Sequence, residues 1–190
     1  MTSTTLPYRL GEFDAEGRYP VIIGADMAVG HVFRWHRNWF AQDSTGEHNL
    51  GRPPKGDKGE DMAAAHLIKQ YADGLITATK VVTPAEGEKA PRPYGPAPLL
   101  HPRMPESPRN LEGARKAWDG VTAYLWTPLG GFPGADNLWL LACEMPGCGW
   151  FGPRYWSHLR GRNNQPPSAH RHPGCIGEDK VRELIAAYQQ

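Results

Sequence analysis

The sequence predicts an α+β fold in two small modules, and three observations carry that expectation. Short strand-like stretches between residues 19 and 41 are followed by one helical stripe, Ala64, Leu67, Ile68, Tyr71 and Leu75. Residues 82–108 hold eight prolines and little apolar content beyond Leu99-Leu100, the composition of a spacer. Past that spacer, all three cysteines and three of the eight histidines fall between Cys143 and Cys175. The expected organisation is an N-terminal module over residues 1–80, a proline-rich linker over 81–110, and a second, metal-organised module over 111–190.

Composition sets the limits. Lys and Arg number 21 against 20 Asp and Glu, so overall charge selects no class of partner. Nineteen prolines, 22 glycines and a hydrophobic share of 39% describe a turn-rich chain with thin cores. Seven tryptophans partly offset this, because each buries a large apolar area. No apolar run reaches the roughly 18 residues of a membrane span, so no membrane partner is expected. The opening M-T-S-T-T-L-P-Y lacks the basic and apolar regions of a secretory signal. An odd number of cysteines argues against a disulfide framework; reduced thiols in a cytoplasmic setting, free to bind metal, are expected instead.

In the first module, Tyr19–Ile23, Val29–His36 and Asn38–Ala41 read as strands of a short antiparallel meander. Their separators, Gly24-Ala25-Asp26, Arg37-Asn38 and Asp43–Gly46, carry turn residues. A helix is expected over Gly59–Ala72, with Glu60 and Asp61 in its first turn and Gly74 near its end. In the second module, Val121–Trp126 and Asn137–Ala142 read as strands about a glycine-rich turn. Glu178–Tyr188 reads as a helix burying Val181, Leu184, Ile185 and Tyr188.

The second expected strand runs straight into Cys143-x4-Cys148-Gly. A second pair ends in Cys175, and Pro146-Gly147-Cys148 is echoed by Pro173-Gly174-Cys175. Two turns offering thiolate or imidazole are what a tetrahedral Zn²⁺ site draws from a chain. The expected ligands are Cys143, Cys148, His172 and Cys175, with His170 or His158 as the alternative fourth ligand. Four protein ligands close the coordination shell, which points to a structural ion rather than a catalytic one.

Between the two pairs runs W-F-G-P-R-Y-W-S-H-L-R-G-R-N-N-Q, with no acidic residue from 149 to 169. Guanidinium groups suit phosphates, aromatic faces suit bases, and amide side chains reach base edges. Arg154, Trp156, Arg160, Arg162, Asn163 and Arg171 are therefore the candidate nucleic-acid contacts, with DNA the favoured partner. A protein partner is the other option, reached through the meander or exposed tryptophans. No P-loop, G-x-S-x-G, dinucleotide fingerprint or paired carboxylate points to an enzyme.

Residues 138–190, with a knuckle followed by a second ligand pair ahead of a helix, resemble treble-clef zinc fingers. They are also similar to small cysteine- and histidine-rich proteins of bacteriophages and mobile elements. The resemblance implies a zinc-stabilised accessory or regulatory protein. Its enzymatic branch is the HNH-type nuclease, for which His158 and Asn163 are the available residues. The phrase G-H-V-F-R-W-H-R-N-W-F-A, followed by an alanine-rich helix, resembles the arm-binding domains of phage-type integrases. That resemblance implies a DNA-facing sheet with Arg34, His36, Arg37 and Arg52 near phosphates, although residues 1–80 hold nine basic against ten acidic side chains.

Overall fold

The structure, a computed structural model, describes residues 6–81, 95–162 and 164–189. They divide into two compact units, Met1–Pro91 and Arg92–Gln190. Both are mixed α/β, with antiparallel sheets and few helices.

In the first unit, β1 (Tyr8–Leu10), β2 (Tyr19–Ile23), β3 (Met27–Trp35), β4 (Asn38–Asp43) and β5 (Gly46–Gly51) pair in chain order. Helix α1 (Gly59–Ala72) follows, and β6 (Thr79–Lys80) returns to pair with the start of β3. The three expected strands are present. The added strands β1, β5 and β6 are short or polar, so apolar alternation does not mark them. Val21, Ile23, Val29, Val32 and Ala41 pack with Ala63, Ala64, Leu67 and Ile68 of α1 in one core. Tyr71 lies at its edge, while Leu75 falls beyond the helix and is exposed.

Two hairpin turns show how side chains direct this sheet. His36 and Arg37 form the two-residue loop between β3 and β4, at φ 47° and 72°. That matches the sense of a type I′ turn, whose twist suits a hairpin but which ordinarily favours Asn-Gly. At the next turn, Asp43 Oδ1 accepts from the Thr45 backbone N–H at 2.7 Å and from its hydroxyl at 2.6 Å. His48 Nε2 lies 3.1 Å from Asp43 Oδ2.

The expected linker lies partly outside the described residues, over 82–94. From Gly95 its tail belongs to the second unit. Leu99 and Leu100 pack on the core there, Trp118 Nε1 donates to the Leu99 carbonyl at 3.1 Å, and Leu100 bridges to Phe132.

Helix α2 (Pro108–Ala123) corrects the expected strand over Val121–Trp126. The Ser107 hydroxyl caps it by accepting from the Asn110 N–H at 3.2 Å, with Pro108 in the first turn. Ala114, Ala117 and Val121 form its buried stripe, so helical period overrides the β-propensity of Val-Thr-Ala-Tyr. Strands β7 (Trp126–Pro128), β8 (Leu138–Cys143) and β9 (Phe151–Tyr155) make an antiparallel meander. A single-turn helix α3 (Trp156–Leu159) follows, then α4 (Glu178–Leu184) and a 3₁₀ turn, Ala186–Tyr188. Helix α4 ends at Leu184; Val181 and Ile185 are buried as expected, whereas Leu184 is exposed, against the expected stripe. Among the described residues, no helix is long and apolar enough to cross a membrane.

Candidate metal centre

Strand β8 ends on Cys143, whose N–H donates to the Trp150 carbonyl at 2.9 Å and closes the knuckle between β8 and β9. Within it, Met145-Pro146-Gly147-Cys148 is a tight turn: the Cys148 N–H donates to the Met145 carbonyl at 2.9 Å and Gly147 has φ 73°. His172-Pro173-Gly174-Cys175 repeats it, with Cys175 N–H to His172 carbonyl at 3.1 Å and Gly174 at φ 80°. Proline second and a positive-φ glycine third are the signature of a type II turn. The sequence echo is thus a structural one, and each turn presents a cysteine at its fourth position.

The two turns differ in their first residue. His172 occupies that place in the second turn, so imidazole and thiolate come from the same turn. The first turn has Met145 there, and Cys143, two residues earlier, supplies the other ligand. The ligand atoms of Cys143, Cys148, His172 and Cys175 all lie within 4.8 Å of one another.

Those distances fit a tetrahedral ion. Metal–sulfur bonds of about 2.3 Å put two sulfurs about 3.8 Å apart, and Cys143 Sγ is 4.0 Å from Cys175 Sγ. That separation is about twice a disulfide bond length, and all three cysteines are free thiols. Cys148 Sγ and His172 Nε2 are 3.1 Å apart; the corresponding tetrahedral edge is about 3.6 Å, so an ion would require that edge to open by about half an ångström. His172 Nδ1 lies 2.9 Å from the Pro173 carbonyl. As donor to that oxygen, Nδ1 carries the proton and leaves the Nε2 lone pair facing the sulfurs.

Charge supplies an independent test. Arg171 is 2% exposed. Its Nε donates to Cys143 Sγ at 3.1 Å, Nη1 to the Tyr124 carbonyl at 2.7 Å and Nη2 to the Leu125 carbonyl at 2.5 Å. None of these acceptors is a carboxylate, and the guanidinium lies 4.0 Å from the Trp126 ring centroid. A buried cation needs an anion, and the one acceptor here able to carry charge is a thiolate. Three thiolates and one neutral imidazole about a divalent ion would sum to −1, a charge that Arg171 would balance.

The imidazole is also braced. Trp150 stacks on His172 with centroids 4.5 Å apart and planes 6° apart. Trp150 meets Trp126 edge-on at 6.0 Å. Cys143 contributes to the same core as Trp126, Trp139, Leu141, Leu159, Val181 and Ile185. The site therefore joins the meander, the end of α2 and the segment leading to α4.

The alternative ligands stand outside it. His170 is exposed, with Nδ1 3.9 Å from Glu178 Oε1. His158 is largely exposed at the end of α3, its pKa lowered by partial burial and by Arg162.

The expected nucleic-acid residues separate into two groups. Arg171 is removed from any outer face by the contacts above. Arg154 turns inward as well: it donates to the Pro153 carbonyl at 3.0 Å and to the Arg171 carbonyl, and stands 4.4 Å from the Trp150 ring centroid. Burial and the neighbouring Arg171 lower its pKa against the opposing pull of Cys143. Trp156 is half-buried against α2, where a Cβ at Gly120 would come within 2.2 Å of its ring. Arg160 and Arg162 are exposed, Arg162 with Asp136 4.0 Å away, and Asn163 lies outside the described residues. Sequence reasoning missed Trp150 as the ring beneath His172 and Arg171 as the counter-charge. Adjacency of Trp150 to Cys148-Gly149, and of Arg171 to His172, was the available signal.

The chain matches no protein-family model, no curated protein and no solved structure.

Proposed function

We propose that the ion is Zn²⁺, that its role is structural, and that the protein is a zinc-stabilised nucleic-acid-binding accessory or regulatory protein acting on DNA. Three sulfurs and one imidazole within 4.8 Å of one another suit Zn²⁺ over oxygen-seeking ions. The observation supporting a structural role is the complete four-ligand set. Cys143, Cys148, His172 and Cys175 fill a tetrahedral shell and leave no position in it for water or substrate. The order of knuckle, second turn and helix α4 agrees with a treble-clef-like arrangement.

The nucleic-acid reading rests on the exposed Arg160 and Arg162, in a stretch free of acidic residues from 149 to 169. It is narrower than the sequence suggested, because Arg154 and Arg171 serve the interior. A gel shift on duplex DNA and on RNA at several salt concentrations tests it, with the double variant Arg160→Ala/Arg162→Ala as control. Salt-sensitive binding that the variant weakens supports the reading; binding indifferent to both changes contradicts it.

A protein-binding adaptor or inhibitor is the second reading. Its motive is the exposure of Leu125, Ile176 and Leu184 in the same unit. Failure to bind nucleic acid together with a specific, saturable protein partner favours it. The HNH-type nuclease has less support: His158 is not in the metal cluster, and α4 offers neither histidine nor asparagine.

A further inference from the structure

We infer that Cys143 and Cys175 form an oxidation site: a hydroperoxide oxidises Cys175, Cys143 closes on it, and the resulting disulfide releases the ion. The inference rests on the metal reading above and adds a way of reversing it.

The pair is selected by distance and by surroundings. Cys143 Sγ and Cys175 Sγ, at 4.0 Å, are in direct contact, whereas Cys148 Sγ has the His172 imidazole as its close neighbour at 3.1 Å. Cys143 is the fixed partner. It ends β8, is 1% exposed, and is held by its backbone bond to Trp150 and by the Arg171 Nε donor. Cys175 is the partner that oxidant reaches and that can move. It is half-buried, with Pro173, Gly174, Ile176 and Gly177 exposed around it. The space beside Gly174 and Gly177 is open: apart from the adjoining residues, no atom lies within 4 Å of where a Cβ would stand. Forming an S–S bond of about 2.05 Å requires the sulfurs to approach by about 2 Å, which this turn can supply.

The chemistry balances. The Cys175 thiolate attacks one peroxide oxygen, the O–O bond breaks, and a solvent proton completes sulfenic acid and water. The Cys143 thiolate then attacks the Cys175 sulfur; the S–S bond forms, the S–O bond breaks, and hydroxide leaves to take a second proton. Two thiolates, one hydrogen peroxide and two protons become one disulfide and two waters. The sulfurs lose the two electrons that reduce the peroxide. Only Cys148 and His172 then remain as ligands, and Arg171 faces a neutral disulfide in place of a thiolate.

The experiment uses the full chain loaded with zinc and treated with hydrogen peroxide. Released zinc is followed with a chelating dye, and linkages are identified by peptide mapping without reductant. One ion released per Cys143–Cys175 disulfide, with zinc taken up again after dithiothreitol, is the expected result. A linkage through Cys148, zinc release that tracks sulfinic acid without any disulfide, or a loaded chain that keeps its ion while glutathione in the same tube is fully oxidised, each overturns the proposal and leaves the metal reading intact. A chain that never takes up zinc overturns both.

Discussion

Arg171 Nε lies 3.1 Å from Cys143 Sγ, and the same guanidinium holds the carbonyls of Tyr124 and Leu125 at the end of α2. One buried cation thus ties a metal ligand to a helix terminus. Glu144 N–H also donates to the Leu125 carbonyl at 3.0 Å, so the residue after the ligand shares the acceptor. Leu125 itself has φ 54°, a left-handed conformation that costs a non-glycine residue about 1 kcal/mol. The network of Arg171 and Glu144 around its carbonyl holds it there.

Arg171→Met should therefore weaken metal binding and fold stability together. Losing an outer partner of a ligand lowers metal affinity by about 10–100-fold, and breaking a buried charge pair costs about 3–5 kcal/mol. Arg171→Lys keeps the charge but cannot reach all three acceptors, and should fall between. Competition against a zinc chelator and denaturant unfolding of the two variants provide the check.

His172→Ala should abolish stoichiometric binding, whereas His170→Ala and His158→Ala should leave one ion per chain. The contrast follows from geometry, since among the described residues only His172 places a ring nitrogen among the three sulfurs. Metal content of the three purified variants decides it.

Chelation should unfold the second unit and spare the first. A structural zinc site contributes on the order of 10 kcal/mol to folding, and the first unit has its own core built from β2, β3, β4 and α1. Hydrogen exchange after chelation should show protection lost in β7, β8 and β9 and kept in β3 and α1. Uniform loss across both units would count against it.

Acid should weaken the β4–β5 hairpin through Asp43. Burial raises the pKa of this carboxyl, but hydrogen bonds from Thr45 and His48 outweigh burial and leave it below its ordinary value. A folded-state pKa below the unfolded one gives stability that is present above the unfolded value, about 4, and is lost as pH falls through the folded value. The stability advantage of the native chain over Asp43→Asn should accordingly shrink below about pH 4. An advantage that stays constant down to about pH 2 would contradict the argument.

Salt dependence should expose the size of any nucleic-acid contact. Two phosphate contacts, from Arg160 and Arg162, give a slope of log K against log salt of about −1.8 on duplex DNA, and each Arg→Ala change should remove about 0.9. Titrations of the single variants at three salt concentrations measure this.

Much of this molecule is legible in the chain because its determinants are local. Helix α1 spans the expected Gly59–Ala72, where apolar period and first-turn acids agree. Cys148, His172 and Cys175 are presented by two Pro-Gly turns spelled out in the sequence, and Cys143 joins them from the end of β8. Helix α2 escapes a local reading because Val121-Thr122-Ala123-Tyr124 favours a strand, while the cap at Ser107 lies at the far end of the helix. Arg154 and Arg171 escape it for a different reason. Arg154, near Trp150 and Trp156 in sequence, and Arg171, two residues past the acid-free stretch, look like nucleic-acid contacts, yet both guanidiniums lie over Trp126, which is remote in the chain. The polar strand Gly46–Gly51 carries no alternation, and its pairing with β4 comes from the hairpin turn.

X-ray absorption at the zinc edge of the loaded chain reads the ligands of the ion themselves. The expected spectrum has three sulfurs at about 2.3 Å and one nitrogen at about 2.0–2.1 Å, at one ion per chain. A shell of oxygens, or fewer than three sulfurs, would contradict it.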